Sequence, residues 1–261
     1  MPPASSMITP SPEWLSTFTW TWIALAMPVA ISLCFFNAPY GRHNPGIWRP
    51  MIRARTGWLL MESPAVVLPA GAFVWGCGWE SPMLLIFFLL WQLHYVYRAW
   101  IYPFRLAKTS SPIPLPLILM GMAFNLTNGL LHSVWLFVQP TMIGTDWLTD
   151  WRFAMGAAFF GLGFAVNVDS CNRLLRLRRE NQDDYSIPRG GLFRWVSCPN
   201  YLGEMVEWIG WALLTWNPAG LAFAVWTMAN LAPRARAHHY WYRDRFPDYP
   251  TKRKALIPGI F

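Results

Sequence analysis

Three glutamates interrupt runs that are otherwise apolar. The stretch "LLMESPAVVLP" carries Glu62, and "NYLGEMVEWIGWALLTW" carries Glu204 and Glu207. A carboxylate in hydrocarbon costs at least about 2.5–3.5 kcal/mol even on lenient insertion scales, so such groups mark function by default. In "WQLHYVYRAWIY", His94, Tyr95, Arg98 and Tyr102 fall at i, i+1, i+4 and i+8, a polar stripe on one helix face. In "FAVNVDSCNRLLRLRR", Asn167 and Arg178 share a face with Ser170 and Cys171, while Asp169 points the other way. The tail "RARAHHYWYRDR" repeats Arg234, His238, Tyr242 and Arg245 at helical spacing and predicts an amphipathic helix. A tyrosine hydrogen-bonded to a carboxyl is a good electrophilic donor to a carbonyl oxygen. A collar of Arg, Asn, Tyr and His suits phosphates and an adenine ring. Together they point to an apolar ketone reduced by a soluble dinucleotide.

Other chemistries lack their residues. There is no GxSxG, no Walker A sequence and no GxGxxG after a strand, which removes ordinary hydrolases and Rossmann enzymes. His238 and His239 are adjacent, so their side chains diverge on a helix, and no metal site is expected. Cys34, Cys77, Cys171 and Cys198 show neither CxxC nor Cys/His spacing, which argues against disulfides and structural zinc. His132 reads as a packing histidine, Asp169 as a local cap or ion-pair partner, and Glu207 as a packing group one turn beyond Glu204.

The elements that hold these residues are apolar helices. Of the 261 residues 54% are hydrophobic and only 13% are charged, against roughly 25% in soluble domains. Eighteen tryptophans suit a bilayer interface. A helix needs about 20 apolar residues to cross hydrocarbon. Seven runs qualify or approach that length: 15–37, 57–78, 82–103, 113–138, 152–170, 202–216 and 218–233. The last two are separated by the turn "NPAG". Without period-two alternation, the runs do not read as strands. The first run follows Glu13 and lacks a basic flank, so no cleavable signal peptide is evident. All but Arg152 of the 21 Lys and Arg residues fall on alternate loops. The expected fold is therefore an all-α bundle of seven transmembrane helices, N-terminus out and C-terminus cytoplasmic. The net charge of +8 gathers on the cytoplasmic face, where it marks topology, attracts anionic lipid, or binds a polyanionic cofactor. Nucleic acid has no place in such a chain.

The C-terminal third resembles the steroid 5α-reductase family, the 3-oxo-5α-steroid 4-dehydrogenases. The residues that carry the likeness are "YSIPRGGLFRWVSCPNYLGEMVEWIGWALLTW" (185–216) and "DYPTKRKALIPGIF" (248–261), with weaker matches at 38–46, 59–71, 93–103 and 160–170. The resemblance implies one seven-helix reductase domain over 1–261, with 234–261 completing the cofactor site. It also implies NADPH as cofactor and reduction of the C4–C5 double bond of 3-oxo-Δ4-steroids. Carried over by position, Glu62 and Tyr95 would engage the 3-keto oxygen. Asn167, Arg178, Tyr185, Asn200, Glu204, His238 and Tyr242 would hold NADPH, with Arg42, Arg98, Tyr102 and Arg234 as further contacts. Met61 stands where a steroid-reducing relative has glutamine. Cys171 stands where an aspartate is expected, which leaves one polar contact missing or supplied by Asp169. The location implied is an inner membrane in a bacterium or the endoplasmic reticulum in a eukaryote, and a monomer is expected. Two alternatives share parts of this pattern: a polyprenol or enoyl-lipid reductase, and an isoprenylcysteine-type methyltransferase using S-adenosylmethionine. Glu62, the His94–Tyr95 pair and the terminal "KALIPGIF" weigh against the methyltransferase.

Overall fold

The computed structural model describes residues 10–36, 48–76, 78–107, 110–139, 144–180 and 185–261. Arg42, the surrounding 38–46 segment, Cys77 and Lys108 lie outside the described residues. Among the described residues there are seven long helices. They are α1 (Pro12–Phe35), α2 (Ala54–Trp75), α3 (Pro82–Arg105), α4 (Leu115–Val138), α5 (Trp151–Glu180), α6 (Pro199–Thr215) and α7 (Pro218–Arg245). The first five are long and apolar enough to cross a membrane, so the chain is a mostly helical, multi-pass membrane protein.

Local chemistry sets where these helices begin. The Ser11 hydroxyl accepts from the Trp14 amide at 3.2 Å, and Ser81 accepts from Leu84 at 3.4 Å. The Asn217 side chain accepts from Gly220 N–H at 2.9 Å. Each of these caps precedes a proline, which has no amide hydrogen to leave unpaired in the first turn. At the α6–α7 junction Trp216 takes a left-handed conformation (φ 42°), and "NPAG" then opens α7.

Several boundaries depart from the sequence reading. Helix α2 continues through both Pro64 and Pro69 but stops at Trp75, and residues 78–80 form a separate 3-10 turn. Helix α5 runs ten residues past the expected end, carrying its apolar face into the basic segment. The tail is helical as expected, but as the second half of α7, which passes through Pro233 unbroken. The all-α expectation also needs one correction. Met51–Ile52 and Ile113–Pro114 pair as two short antiparallel strands just before α2 and α4.

The main core lies between α2, α3, α4, α5, α6 and α7. Trp91, Phe87, Trp208 and Trp211 are its largest fully buried side chains. Helices α5 and α6 approach most closely, at Gly156, Gly163, Gly203 and Gly210. A Cβ at any of these four would overlap the backbone of the facing helix. Small residues at a helix crossing allow this approach in a membrane. Opposite the basic face, Arg152 is matched rather than free. Asp150 accepts from it at 2.8–2.9 Å, and its guanidinium lies over Trp147 and Trp216, at 4.3 and 4.7 Å. These bonds from Arg152 hold the Asp150 carboxyl down at about 2.

Candidate active site

Glu62 lies in the middle of α2 and is buried, on the face turned toward α3 and α4. Asn125 of α4 donates from Nδ2 to the Glu62 carboxylate at 3.3 Å and to the Met61 carbonyl at 2.8 Å. The nearest cation is Arg98 of α3, whose Nε stands 3.8 Å from the same carboxylate. Tyr95, one turn before Arg98, is buried and within electrostatic range of Glu62. No direct hydrogen bond joins Tyr95 and Glu62. Asn128, one turn after Asn125 on α4, sets its side-chain amide beside the Tyr95 phenol.

A wide π turn over Tyr97–Ile101 comes directly after Tyr95 and Val96 within α3. One extra residue in a turn rotates the residues beyond it by about 100° relative to a regular helix. Arg98, within this turn, faces α2, with its guanidinium 4.4 Å from the Trp58 ring and 5.6 Å from Tyr102. Tyr102 in turn meets Trp58 edge-on at 5.7 Å. His94, which precedes the π turn, has a partner of its own on α6. His94 Nδ1 lies 2.8 Å from Glu207 Oε1, both groups are buried, and the imidazole packs edge-on against Trp208 at 4.6 Å. This ion-pair-capable contact ties α3 to α6 immediately behind Tyr95.

On the other side of Arg98, α5 and α6 present a polar pair. Asn167 Nδ2 donates to the Asn200 carbonyl at 2.9 Å and to Glu204 at 3.3 Å. Glu204 is also close enough to Glu62 and Arg98 to interact electrostatically with both. Cys171 is buried one turn beyond Asn167, with Arg98, Arg105 and Arg178 around it. Asp169 does not take the place of the acid expected there. It is exposed and paired with Arg173 at 2.8 Å, facing away from Asn167. Arg105 bridges Tyr97 and Asn172, at 3.0 and 2.6 Å.

The tail residues form a second group. His238 Nε2 lies 3.2 Å from the Tyr201 hydroxyl, and Arg234 lies over the same ring at 5.9 Å. Tyr201 is next to Asn200 in the chain, so α7 meets the start of α6 here. Tyr185 and Tyr242 sit further along, each against Trp241, and Tyr242 stacks on Tyr249 at 5.5 Å. The final segment is fastened to the chain before α6. Ser197 and Cys198 donate their amides to the Lys254 and Ala255 carbonyls at 2.8 and 3.1 Å.

The structure therefore gathers Glu62, Tyr95, Arg98, Tyr102, Asn167, Asn200 and Glu204 in one region. It places Arg234 and His238 at its α6 edge. Arg178 lies exposed at the end of α5, and Tyr185 and Tyr242 belong to the tail cluster. Sequence reasoning missed Asn125 and Asn128. The signal was there, since two amides one turn apart in an apolar span must each find a partner or a function.

Comparison with known proteins places the chain in a family. Residues 111–261 match the family 3-oxo-5-alpha-steroid 4-dehydrogenase. The steroid 5-alpha-reductase DET2 of Arabidopsis thaliana is 40% identical over 248 residues, covering 92% of this chain and 94% of that protein. The 3-oxo-5-alpha-steroid 4-dehydrogenase 2 of Rattus norvegicus is 40% identical over 241 residues, covering 91% and 94%. The 3-oxo-5-alpha-steroid 4-dehydrogenase 1 of Bos taurus is 38% identical over 245 residues, covering 91% and 93%. With such identity along nearly the whole chain, this protein is an enzyme of the 3-oxo-5-alpha-steroid 4-dehydrogenase family, the steroid 5-alpha-reductases.

Proposed function

We propose that this enzyme reduces the C4–C5 double bond of 3-oxo-Δ4-steroids to 5α-dihydrosteroids with NADPH. Glu62 and Tyr95 would act at the 3-keto oxygen. One observation carries the reading: a buried carboxyl and a buried phenol share one region in a chain of this family, with Arg98, Asn167 and Glu204 beside them. The donor set fits a dinucleotide. Glu204 and Asn167 together offer an acceptor and a donor for a carboxamide. Arg98 and Tyr102, with Arg178, Arg234 and His238 further out, offer cations and rings for phosphates and a base. NADPH, when bound, supplies the hydride that C5 of the enone receives.

The chain's own residues do the rest. Tyr95 donates its hydroxyl proton in a hydrogen bond to the 3-keto oxygen and stabilises the charge that collects there. Glu62, held by Asn125 and near Arg98, supports that donor from the α2 side. Conjugation places the electron demand at C5, and the enolate that results takes a proton at C4. The buried core around Trp91, Trp208 and Phe223 keeps water from the ketone.

The same reading makes α6 and the first half of α7 membrane spans, for seven in all, with the N-terminus out and the cofactor side cytoplasmic. It treats the chain as one domain and a monomer, with 234–261 closing the cofactor site. The test is incubation of purified protein with progesterone and NADPH, and separately with NADH. The expected product is 5α-dihydroprogesterone, formed faster with NADPH. Absence of product with either cofactor, from a folded protein, would overturn the substrate assignment.

A further inference from the structure

Asn128 is 1% exposed, and its Nδ2 has no hydrogen-bond partner among the described residues. A buried amide donor left unpaired is costly and calls for a reason, as do the other unpartnered buried atoms such as Trp208 Nε1 and Trp211 Nε1. The surroundings of Asn128 supply that reason. Helix α4 presents two amides one turn apart: Asn125 reaches Glu62, and Asn128 lies beside the Tyr95 phenol. The Asn128 carbonyl is occupied separately, accepting from His132 Nδ1 at 2.9 Å, which fixes the backbone without engaging the side chain. His132 is itself fully buried and packed on Trp91 at 4.3 Å, which holds this part of the α4 backbone in place.

We propose that Asn128 is a positioning residue for Tyr95, donating from Nδ2 to the Tyr95 oxygen when that oxygen gives its own proton to the substrate ketone. The hydroxyl can then present its single hydrogen only to the ketone, because its lone pair is already engaged. As negative charge grows on the ketone oxygen, the phenol oxygen gains charge too, and the amide donor stabilises it. No bond is made or broken at Asn128. Helix α4 thus supplies one amide to each member of the Glu62/Tyr95 pair, and the proposal rests on that pair acting at the ketone.

A double-mutant cycle tests it. Asn128→Leu is close in shape and removes an amide whose Nδ2 has no hydrogen-bond partner among the described residues, so the variant should melt no lower than the parent. It should lower kcat roughly 10- to 100-fold, the range for one hydrogen bond to a charge-bearing group. The KM for NADPH should stay within twofold. In a Tyr95→Phe background the same change should have less than a twofold effect, since the oxygen it serves is gone. Asn128→Ala, smaller and likewise lacking the donor, should be as slow as the leucine variant and carries the cycle if leucine does not fold. A full multiplicative loss on top of Tyr95→Phe, or unchanged kcat in both Asn128 variants, would overturn the proposal and leave the role of Tyr95 standing. Full turnover by Tyr95→Phe alone would overturn that role and the proposal with it.

Discussion

Glu62 is held by an amide at 3.3 Å and a guanidinium at 3.8 Å rather than by a tight ion pair, so its carboxylate is steadied without being fully committed. That suits a group that must act on something else. Glu62→Gln and Tyr95→Phe should each lower kcat by roughly 10²–10³, the loss seen when one preorganised transition-state donor is removed. Both should retain NADPH-induced stabilisation in thermal melting, because Arg98, Asn167 and Glu204 remain. Near-normal turnover in both would remove the catalytic assignment. Glu204 should behave in the opposite sense. Glu204→Gln should weaken NADPH binding in part, since an acceptor remains, and Glu204→Leu should weaken it more. Without cofactor the leucine variant should melt no lower than the parent, because replacing a costly polar group in a membrane by an apolar one is often neutral or stabilising. A leucine variant that unfolds early yet keeps full NADPH stabilisation would make Glu204 structural. The carboxylates and Tyr95 were legible in the sequence because a charge in an apolar run has no cheap explanation. Asn125 and Asn128 gave a weaker signal, two neutral amides one turn apart, which attention to charge alone passes over. The His94–Glu207 contact joins positions 113 residues apart on different helices, which periodicity along one helix cannot reveal.

Packing of α5 against α6 decides whether Asn167 can reach Glu204. The two helices touch at backbone distance, and Gly163 faces Gly203 and Glu207 with no room for a side chain. Gly163→Ala should force the helices apart and destabilise the protein by about 1–3 kcal/mol, the usual range for overpacking. It should also weaken NADPH binding by displacing Asn167 from Glu204, although neither residue is changed. Gly161, on the same helix, has open space around its Cα. Gly161→Ala should be neutral or stabilise by up to about 1 kcal/mol, through helix propensity alone. Melting temperatures and NADPH titrations of the two variants give the comparison, and equal behaviour would show that the crossing tolerates separation. At this scale the sequence showed that helices exist better than where they end. Apolar runs located all seven, but α5 outlasts its apolar run because Leu175 still packs inward beneath the arginines. The π turn in α3 left no mark in residue type, so the directions of Arg98 and Tyr102 were open until the neighbouring α2 was in place.

Across the whole molecule, the chain's last segment returns to the start of α6 and is fastened by a small buried cluster. Ser197 Oγ lies 2.7 Å from His239 Nδ1, 2.6 Å from the Tyr249 hydroxyl and 3.0 Å from the Lys254 carbonyl. The basic loops that revealed the charge asymmetry carried no hint of this knot, since it depends on which loop the tail meets in space. It makes the tail sensitive to pH. Burial, and after it the charges of Arg243, Arg253 and Lys254, holds His239 below its ordinary value of 6.5, while burial raises the Tyr249 phenol. The folded protein therefore binds fewer protons at His239 than the unfolded chain does. Such a group contributes its full stability above about 6.5, and that contribution is lost as the pH falls toward the depressed folded value. Tyr249 stays protonated throughout this range and does not offset the change. The midpoint of thermal unfolding in detergent should accordingly fall between pH 7 and pH 5.5, with the tail loosening first as read by proteolysis near residues 246–252. His239→Asn keeps a donor toward Ser197 Oγ but cannot titrate, so its midpoint should vary less over the same interval. If His239→Asn and the parent fall in parallel, the acid sensitivity resides elsewhere and the His239 knot does not govern how the tail is held.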